Sequence, residues 1–242
     1  MTAGRVVILA GGKGTRLRPF TASFPKPLVP VGHMPILEIL LRQLARDGFQ
    51  HVTLTLGHLS TLIRAFIAQH KSLQKKLNID FIDEEKPTGT AGSLATVPNL
   101  DEPFLVMNGD VLTDLDFNAL LAAHKSSGAA LTIAANRQNV KIDLGVLETD
   151  TKGWLTGYIE KPEHQFDVSM GVYVYEPRVL KLIKRDEYLD FPDLVRMLLA
   201  RGEHVHVHRN NAFWLDIGRP EDYAKAQDIF EAEPERFGLE AA

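Results

Sequence analysis

Val6-Val7-Ile8-Leu9-Ala10 runs directly into Gly11-Gly12-Lys13-Gly14-Thr15-Arg16-Leu17-Arg18-Pro19, and this junction constrains the fold more than any other stretch. Five consecutive apolar residues closed by glycines describe a parallel strand buried on both faces; a strand with one wet face would alternate. Such strands belong to sheets covered by helices, where ligands bind beyond the carboxyl ends of the strands. Three glycines within four positions let backbone N–H groups turn toward a ligand with no Cβ in the way. Arg16, Arg18 and Lys26 add cations within reach of a polyphosphate, although a solvated position suits Arg18 better. The loop is not a Walker A sequence, because Gly14 follows Lys13. It is not the dinucleotide fingerprint either, because Leu17 stands where the third glycine belongs.

The rest of the first half repeats the strand–helix rhythm. Pro35 opens a helix carrying Ile36, Leu37, Leu40, Leu41 and Leu44 on one face and closing at Asp47-Gly48. Strands are predicted at Val52–Leu56, Ile79–Ile82, Phe104–Met107 and Ala130–Ala135. Helices are predicted after Ser60, read as an N-cap, and near Phe117–His124. Alternation at this spacing predicts a doubly wound parallel sheet with right-handed crossovers. The second half predicts short strands (Gly145–Glu148, Leu155–Glu160, Val172–Tyr175, Val205–Val207, Phe213–Leu215) and helices near Pro177–Ile183, Pro192–Arg201 and Pro220–Phe230. With no Pro/Gly/Ser-rich linker between the halves, the second reads as a mixed α/β extension on the same sheet, and the whole as one domain, residues 1–230. Residues 231–242 read as a frayed polar tail.

Composition excludes several classes. With 27 Lys+Arg against 31 Asp+Glu the net charge is −4, which disfavours sequence-independent nucleic-acid binding. The absence of cysteine excludes disulfides, thiolate catalysis and zinc–thiolate sites. No apolar run reaches the roughly 20 residues of a spanning helix, and the N-terminal run is too short for a signal peptide. A soluble cytoplasmic globule is the expectation. His204, His206 and His208 alternate along a strand and share a face; with no further ligand nearby, a solvated face is expected.

The glycine loop together with Phe24-Pro25-Lys26-Pro27-Leu28 resembles the signature of the sugar-1-phosphate nucleotidylyltransferases, Gly-Gly-x-Gly-Thr-Arg-Leu-x-Pro followed by Pro-Lys-Pro-Leu. The resemblance continues at Gly89-Thr90-Ala91-Gly92-Ser93-Leu94, Met107-Asn108-Gly109-Asp110, Glu160-Lys161-Pro162, Gly171-Val172-Tyr173-Val174 and Trp214–Tyr223. Each block alone is modest evidence; the six in the family's order are highly specific and cover nearly the whole chain. The resemblance, closest to mannose- or hexosamine-1-phosphate guanylyltransferases, implies a Rossmann-like, mainly parallel sheet with a β-rich sugar-binding extension. It implies the reaction NTP + sugar 1-phosphate → NDP-sugar + pyrophosphate. It also implies Mg²⁺ (with Mn²⁺ as a substitute) held by Asp110 and Asp216, carboxylates 106 positions apart that only the fold could join.

On the same resemblance, Arg16 serves the pyrophosphate end of the NTP, Lys26 the α-phosphate and Lys161 the sugar phosphate. Leu9, Ala10, Gly11, Gly12, Gly14, Thr15, Arg16, Glu84, Glu85, Gly89, Thr90, Ala91 and Asn108 are expected to bind the nucleotide. Gly145, Glu160, Lys161, and Ser169 and Gly171 of a Ser169-Met170-Gly171 turn are expected at the sugar. No general base is required, because a phosphate with a second pKa near 6 is already largely dianionic at neutral pH; positioning and charge stabilisation carry such a step. Glu84 and Glu85 accept only, matching the adjacent N1–H and N2–H₂ donors of guanine. Relatives that read pyrimidines often place Gln there, and this chain has none between Gln74 and Gln138, so GTP is favoured. Thymidylyl or uridylyl transfer to glucose 1-phosphate is the alternative within the class, and a silent regulatory subunit the alternative outside it. Where the family usually has Asn-Ala-Gly, this chain has Ser169-Met170-Gly171, and Asp143-Leu144 replaces the commoner aromatic before Gly145, which leaves the sugar undefined. The chain ends too soon for an appended β-helix, so neither acetyl transfer nor a built-in effector domain is expected. Homo-oligomerisation is left open.

Overall fold

The computed structural model describes residues 4–237. The first half contains β1 (Val6–Ala10), the short pair β2 (Pro30–Val31) and β3 (Met34–Pro35), α1 (Ile36–Arg46), β4 (His51–Leu56), α2 (Ser60–Gln69), α3 (Lys71–Gln74), β5 (Asn78–Asp83) and α4 (Gly89–Gly92). There follow β6 (Phe104–Asn108), β7 (Val111–Thr113), α5 (Phe117–Ser127), β8 (Leu131–Lys141), β9 (Gly145–Thr149), β10 (Leu155–Glu160), β11 (Glu163–Tyr175), α6 (Phe191–Ala200), β12 (Val205–Asn210), β13 (Trp214–Asp216) and α7 (Pro220–Ala232).

Seven strands form the main sheet in the order β12-β8-β11-β6-β1-β4-β5. All neighbours run parallel except where β11 reverses between β6 and β8. This is the mixed, mostly parallel sheet expected. The uninterrupted apolar run of β1 follows from its place inside the sheet, between β6 and β4. Val6 and Ile8 pack into one core layer with α1, and Val7 packs into the other with Phe104, Val106 and Leu194. Ile36, Leu37, Leu40, Leu41 and Leu44 of α1 are fully buried, each contributing about 1.5–3 kcal/mol of hydrophobic burial.

Several local expectations are corrected. Leu59, not Ser60, is the N-cap of α2; its φ of 59° turns the chain, and Ser60 is already helical. The segment at Pro177–Leu182 is 3₁₀ rather than α-helical. Val172–Tyr175 is only the end of the 13-residue β11, and Ser169-Met170-Gly171 is a bulge within it rather than a turn. A glycine with positive φ inside a bulge carries the same sequence signal as a turn. The extension does not lie wholly on the main sheet: among the described residues β9 pairs only with β10, and β13 only with β7. Residues 231–237 are not frayed, since Phe237 is buried against Phe213 and Phe230; residues 238–242 lie outside the described residues. The histidine face is solvated only in part: His204 is exposed, while His206 and His208 are half-buried. His206 lies beside Thr132 in register, Thr132 Oγ1 is 2.8 Å from His124 Nδ1 of α5, and the His206 Nδ1 is itself buried. Among the described residues no group of three metal-binding side chains forms there or elsewhere, and no helix is long and apolar enough to cross a membrane.

Candidate active site

Two clefts open at the carboxyl ends of β1 and β6 and share Thr90 and Asn108. The first is lined by Leu9, Gly11, Gly12 and Arg16 of the glycine loop, by Glu84, by Gly89, Thr90 and Ser93, and by Asp110, Tyr188 and Asp190 among others. The loop holds its shape because Gly14 adopts φ +59° and its carbonyl accepts the Thr21 hydroxyl at 2.6 Å. A Cβ on Gly14 would stand 3.1 Å from Cβ of Lys26, so the turn and the lysine must be close. The second cleft is lined by Asn108, Val111, Ile133, Ser169, Met170, Gly171, Tyr173, Trp214 and Asp216, and closed by Phe191, Pro192, Val195 and Arg196 from α6.

Asp110 and Asp216 meet where the clefts adjoin, and β-pairing explains how. β13 pairs antiparallel with β7 so that Asp216 opposes Val111, the neighbour of Asp110. The amide of Ile217 then donates to the Asp110 carbonyl at 3.2 Å. Lys26 lies between the carboxylates: its ammonium forms an ion pair with Asp110 Oδ2 and stands 3.7 Å from Asp216 Oδ1. Arg16 approaches from the loop, for a Cβ on Gly218 would be 3.5 Å from its Nη1 and 3.4 Å from Asp216 Oδ2. Burial raises the Asp216 carboxyl above the usual carboxylate range; Asp110 pushes it further, while Lys26 and Arg16 oppose the rise.

Two carboxylates with no third protein ligand among the described residues make a set that suits Mg²⁺, which retains waters and takes phosphate oxygens. Asp110 Oδ1, buried and without a hydrogen-bond partner among the described residues, is the free acceptor such a cation needs.

Glu84 lies at the far end of the first cleft, its Oε1 accepting from the Thr88 hydroxyl at 2.5 Å. Burial raises its carboxyl, and the Thr88 hydrogen bond partly offsets this. Opposite stand Tyr188 and Asp190, which the sequence reading did not single out. They are brought in by backbone hydrogen bonds between residues 88–92 and Leu189: Leu189 N to Thr88 O at 2.8 Å, and Gly92 N to Leu189 O at 2.9 Å.

Not every expected residue lines a cleft. Leu9, Gly11, Gly12, Arg16, Glu84, Gly89, Thr90 and Asn108 do so on the first side, and Ser169 and Gly171 on the second. Ala10 and Ala91 are buried in the core instead. Gly14 and Thr15 shape the loop without lining the cleft, and exposed Glu85 faces a neighbouring groove with Lys86 and Arg185. Gly145 and Glu160 pair with each other on the β9–β10 hairpin, and Lys161 follows it exposed, with φ 47°. None of these three lines either cleft.

The family model for nucleotidyl transferases matches residues 5–233, and the chain belongs to that family. Mannose-1-phosphate guanylyltransferase of Mycobacterium tuberculosis is 33% identical over 90% of this chain. UTP–glucose-1-phosphate uridylyltransferase of Synechocystis is 31% identical over 92% of it. The chain spans 62% of the length of each of these relatives. The structure of HddC from Yersinia pseudotuberculosis superposes with a TM-score of 0.71 at 26% identity, covering 94% of this chain and 100% of that one; the same protein is also solved with GMP-PN.

Proposed function

We propose that this chain transfers a nucleoside monophosphate from GTP to a sugar 1-phosphate, releasing pyrophosphate. The observation that carries the reading is the meeting of two cations and two carboxylates at the seam between two clefts. A transfer between two phosphorylated substrates needs one room for each and a charged junction where they react. In the step, an oxygen of the sugar phosphate bonds to the α-phosphorus while the bond from that phosphorus to the bridging oxygen breaks, and pyrophosphate leaves with the electron pair. The nucleophile carries no proton to remove. The protein's task is to bring two polyanions together and to hold charge as it moves to the leaving group.

Arg16 is assigned to the pyrophosphate end, since it lies on the glycine loop beside Asp216. Lys26 is assigned to the α-phosphate, which it reaches by releasing the carboxylates it now pairs. Asp110 and Asp216 would hold Mg²⁺ (or Mn²⁺), which supplies charge neutralisation when bound. Lys161 is assigned to the sugar phosphate, which requires the β9–β10 hairpin to move over the second cleft.

The preference for GTP rests on Glu84, a carboxylate able to accept paired N–H groups from guanine, and the guanylyltransferase relative and the GMP-PN complex of HddC agree with it. The uridylyltransferase relative favours UTP as the second reading. Pyrophosphate release from each of four NTPs with Mg²⁺ and a panel of sugar 1-phosphates tests both. GTP is expected to give the highest kcat/KM; a preference for UTP or dTTP would overturn the base assignment. No release from any pair would leave the silent regulatory subunit as the better description.

A further inference from the structure

The second cleft is roomier than the first, about 540 against 370 Å³, although a hexose is a smaller guest than a nucleoside. Its wall is largely carbon: Ile133, Met170, Phe191, Pro192, Val195 and Trp214. Away from Asp216 at the seam, several polar groups on that wall are already engaged. Trp214 Nε1 donates to the Met170 carbonyl at 2.7 Å, so the indole offers the cleft only carbon. The Ser169 hydroxyl donates to that of Tyr173 at 3.2 Å, and Thr90 Oγ1 accepts from Phe191 N at 2.8 Å. Arg196, exposed on α6, pairs through one nitrogen with Asp193 at 2.7 Å. Aromatic rings stack on the C–H face of any pyranose, but Tyr173 and Phe191 are stacked on each other at 3.9 Å. Asn108 differs: it borders both clefts and, among the described residues, its side-chain amide makes no hydrogen bond to the protein. It is pinned in place by the bulge, for Gly171 has φ +72° and a Cβ there would lie 2.6 Å from Asn108 Nδ2.

A hexose with every hydroxyl bare would turn several of them against carbon without partners, which is unfavourable. We propose that the cleft takes the 1-phosphate of an N-acylated amino sugar. The acyl methyl lies against Phe191, Val195 and Trp214, and the amide pairs with Asn108. The proposal deepens the reading of this cleft as the sugar side. It also accounts for Ser169-Met170 in place of the family's Asn-Ala: the Met side chain is buried and its sulfur contacts Asn210 Nδ2 at 3.3 Å, building wall rather than reaching for a hydroxyl.

Calorimetric titration of the full chain with an N-acetylhexosamine 1-phosphate, the matching unsubstituted hexose 1-phosphate and a 6-deoxyhexose 1-phosphate decides the matter without relying on turnover. The N-acetyl compound is expected to bind at least about tenfold more tightly, the discrimination one methyl group gives in an apolar pocket. Val195→Thr, which keeps volume and adds a hydroxyl, is expected to narrow that ratio severalfold. Equal or tighter binding of the unsubstituted or deoxy compound, or no binding of any, would overturn the proposal. A preserved N-acetyl preference in binding with no pyrophosphate release from any NTP would instead count against nucleotidylyl transfer and support the pocket assignment.

Discussion

The two clefts that adjoin at Asp110 and Asp216 are built by opposite means. The first takes most of its walls from short runs of chain: the loop after β1, the segment at 84–93, and residues 188–190 drawn in at Leu189, with Thr55, Asn108 and Asp110 completing it. Its chemistry is backbone amide, cation and carboxylate. The second assembles side chains from β6, β8, β11, α6 and β13, and its chemistry is mostly carbon. Phosphates look alike in every substrate, so a contiguous loop suffices to bind them. A sugar is told from its isomers by shape, and shape is supplied by side chains that only the tertiary fold brings together.

The sharpest way to break this comparison is at the seam. Asp110→Asn is expected to lower kcat at least about a thousandfold for every NTP and sugar pair, because both substrates depend on the junction; circular dichroism should be unchanged. A loss confined to one substrate would separate the clefts functionally. Arg16→Ala tests one side alone. It should reduce kcat/KM for the NTP by at least about tenfold, the cost of one charged hydrogen bond, with the KM for sugar 1-phosphate little altered. A comparable rise in the sugar KM would move Arg16 off the NTP. Glu84→Gln sharpens the nucleotide side further. It should lower the ratio of kcat/KM for GTP over UTP by about tenfold, since an amide can both donate and accept. An unchanged ratio would remove Glu84 from base recognition.

How much of this could be read in the sequence divides along the same line. The apolar run of β1, the periodicity of α1 and the glycine loop are local signals, and the structure places them as expected. The carboxylate pair was named from family resemblance, but the means of bringing it together, antiparallel pairing of two three-residue strands, has no local signal. Lys26 was expected at a phosphate; its contact with both aspartates goes with a close approach at Gly109, where a Cβ would lie 3.3 Å from Pro27 Cγ, and has no local signal. Tyr188, Phe191 and Val195 were missed because an exposed loop and an ordinary amphipathic helix carry no mark of what they face. The tail was misread because Phe237 is one aromatic in a polar segment, and its partners Phe213 and Phe230 are apparent only in three dimensions.

The smallest expected effect concerns the ground on which the second cleft stands. β8 contributes Ile133 to that cleft, and beneath β8 lies His124, the one fully buried histidine among the described residues. Its Nδ1 meets Thr132, its Nε2 lies 3.3 Å from Glu176, and His206 and Arg178 stand near. Burial lowers its pKa below the ordinary value of 6.5; Glu176 pulls it back, and His206 and Arg178 lower it further. The unfolded chain therefore takes up a proton near pH 6.5 that the folded chain refuses. Stability from this group is complete above that pH and declines as pH falls below it, until the buried ring itself is protonated. His208, also lowered by burial, adds in the same direction. Between pH 7.5 and 5.5 the wild-type Tm should fall, and His124→Gln, which carries no proton to exchange, should fall less from its own starting value. Differential scanning calorimetry at the two pH values makes the comparison. Equal falls in both proteins would show that the histidine contributes nothing to the acid sensitivity of this half of the sheet.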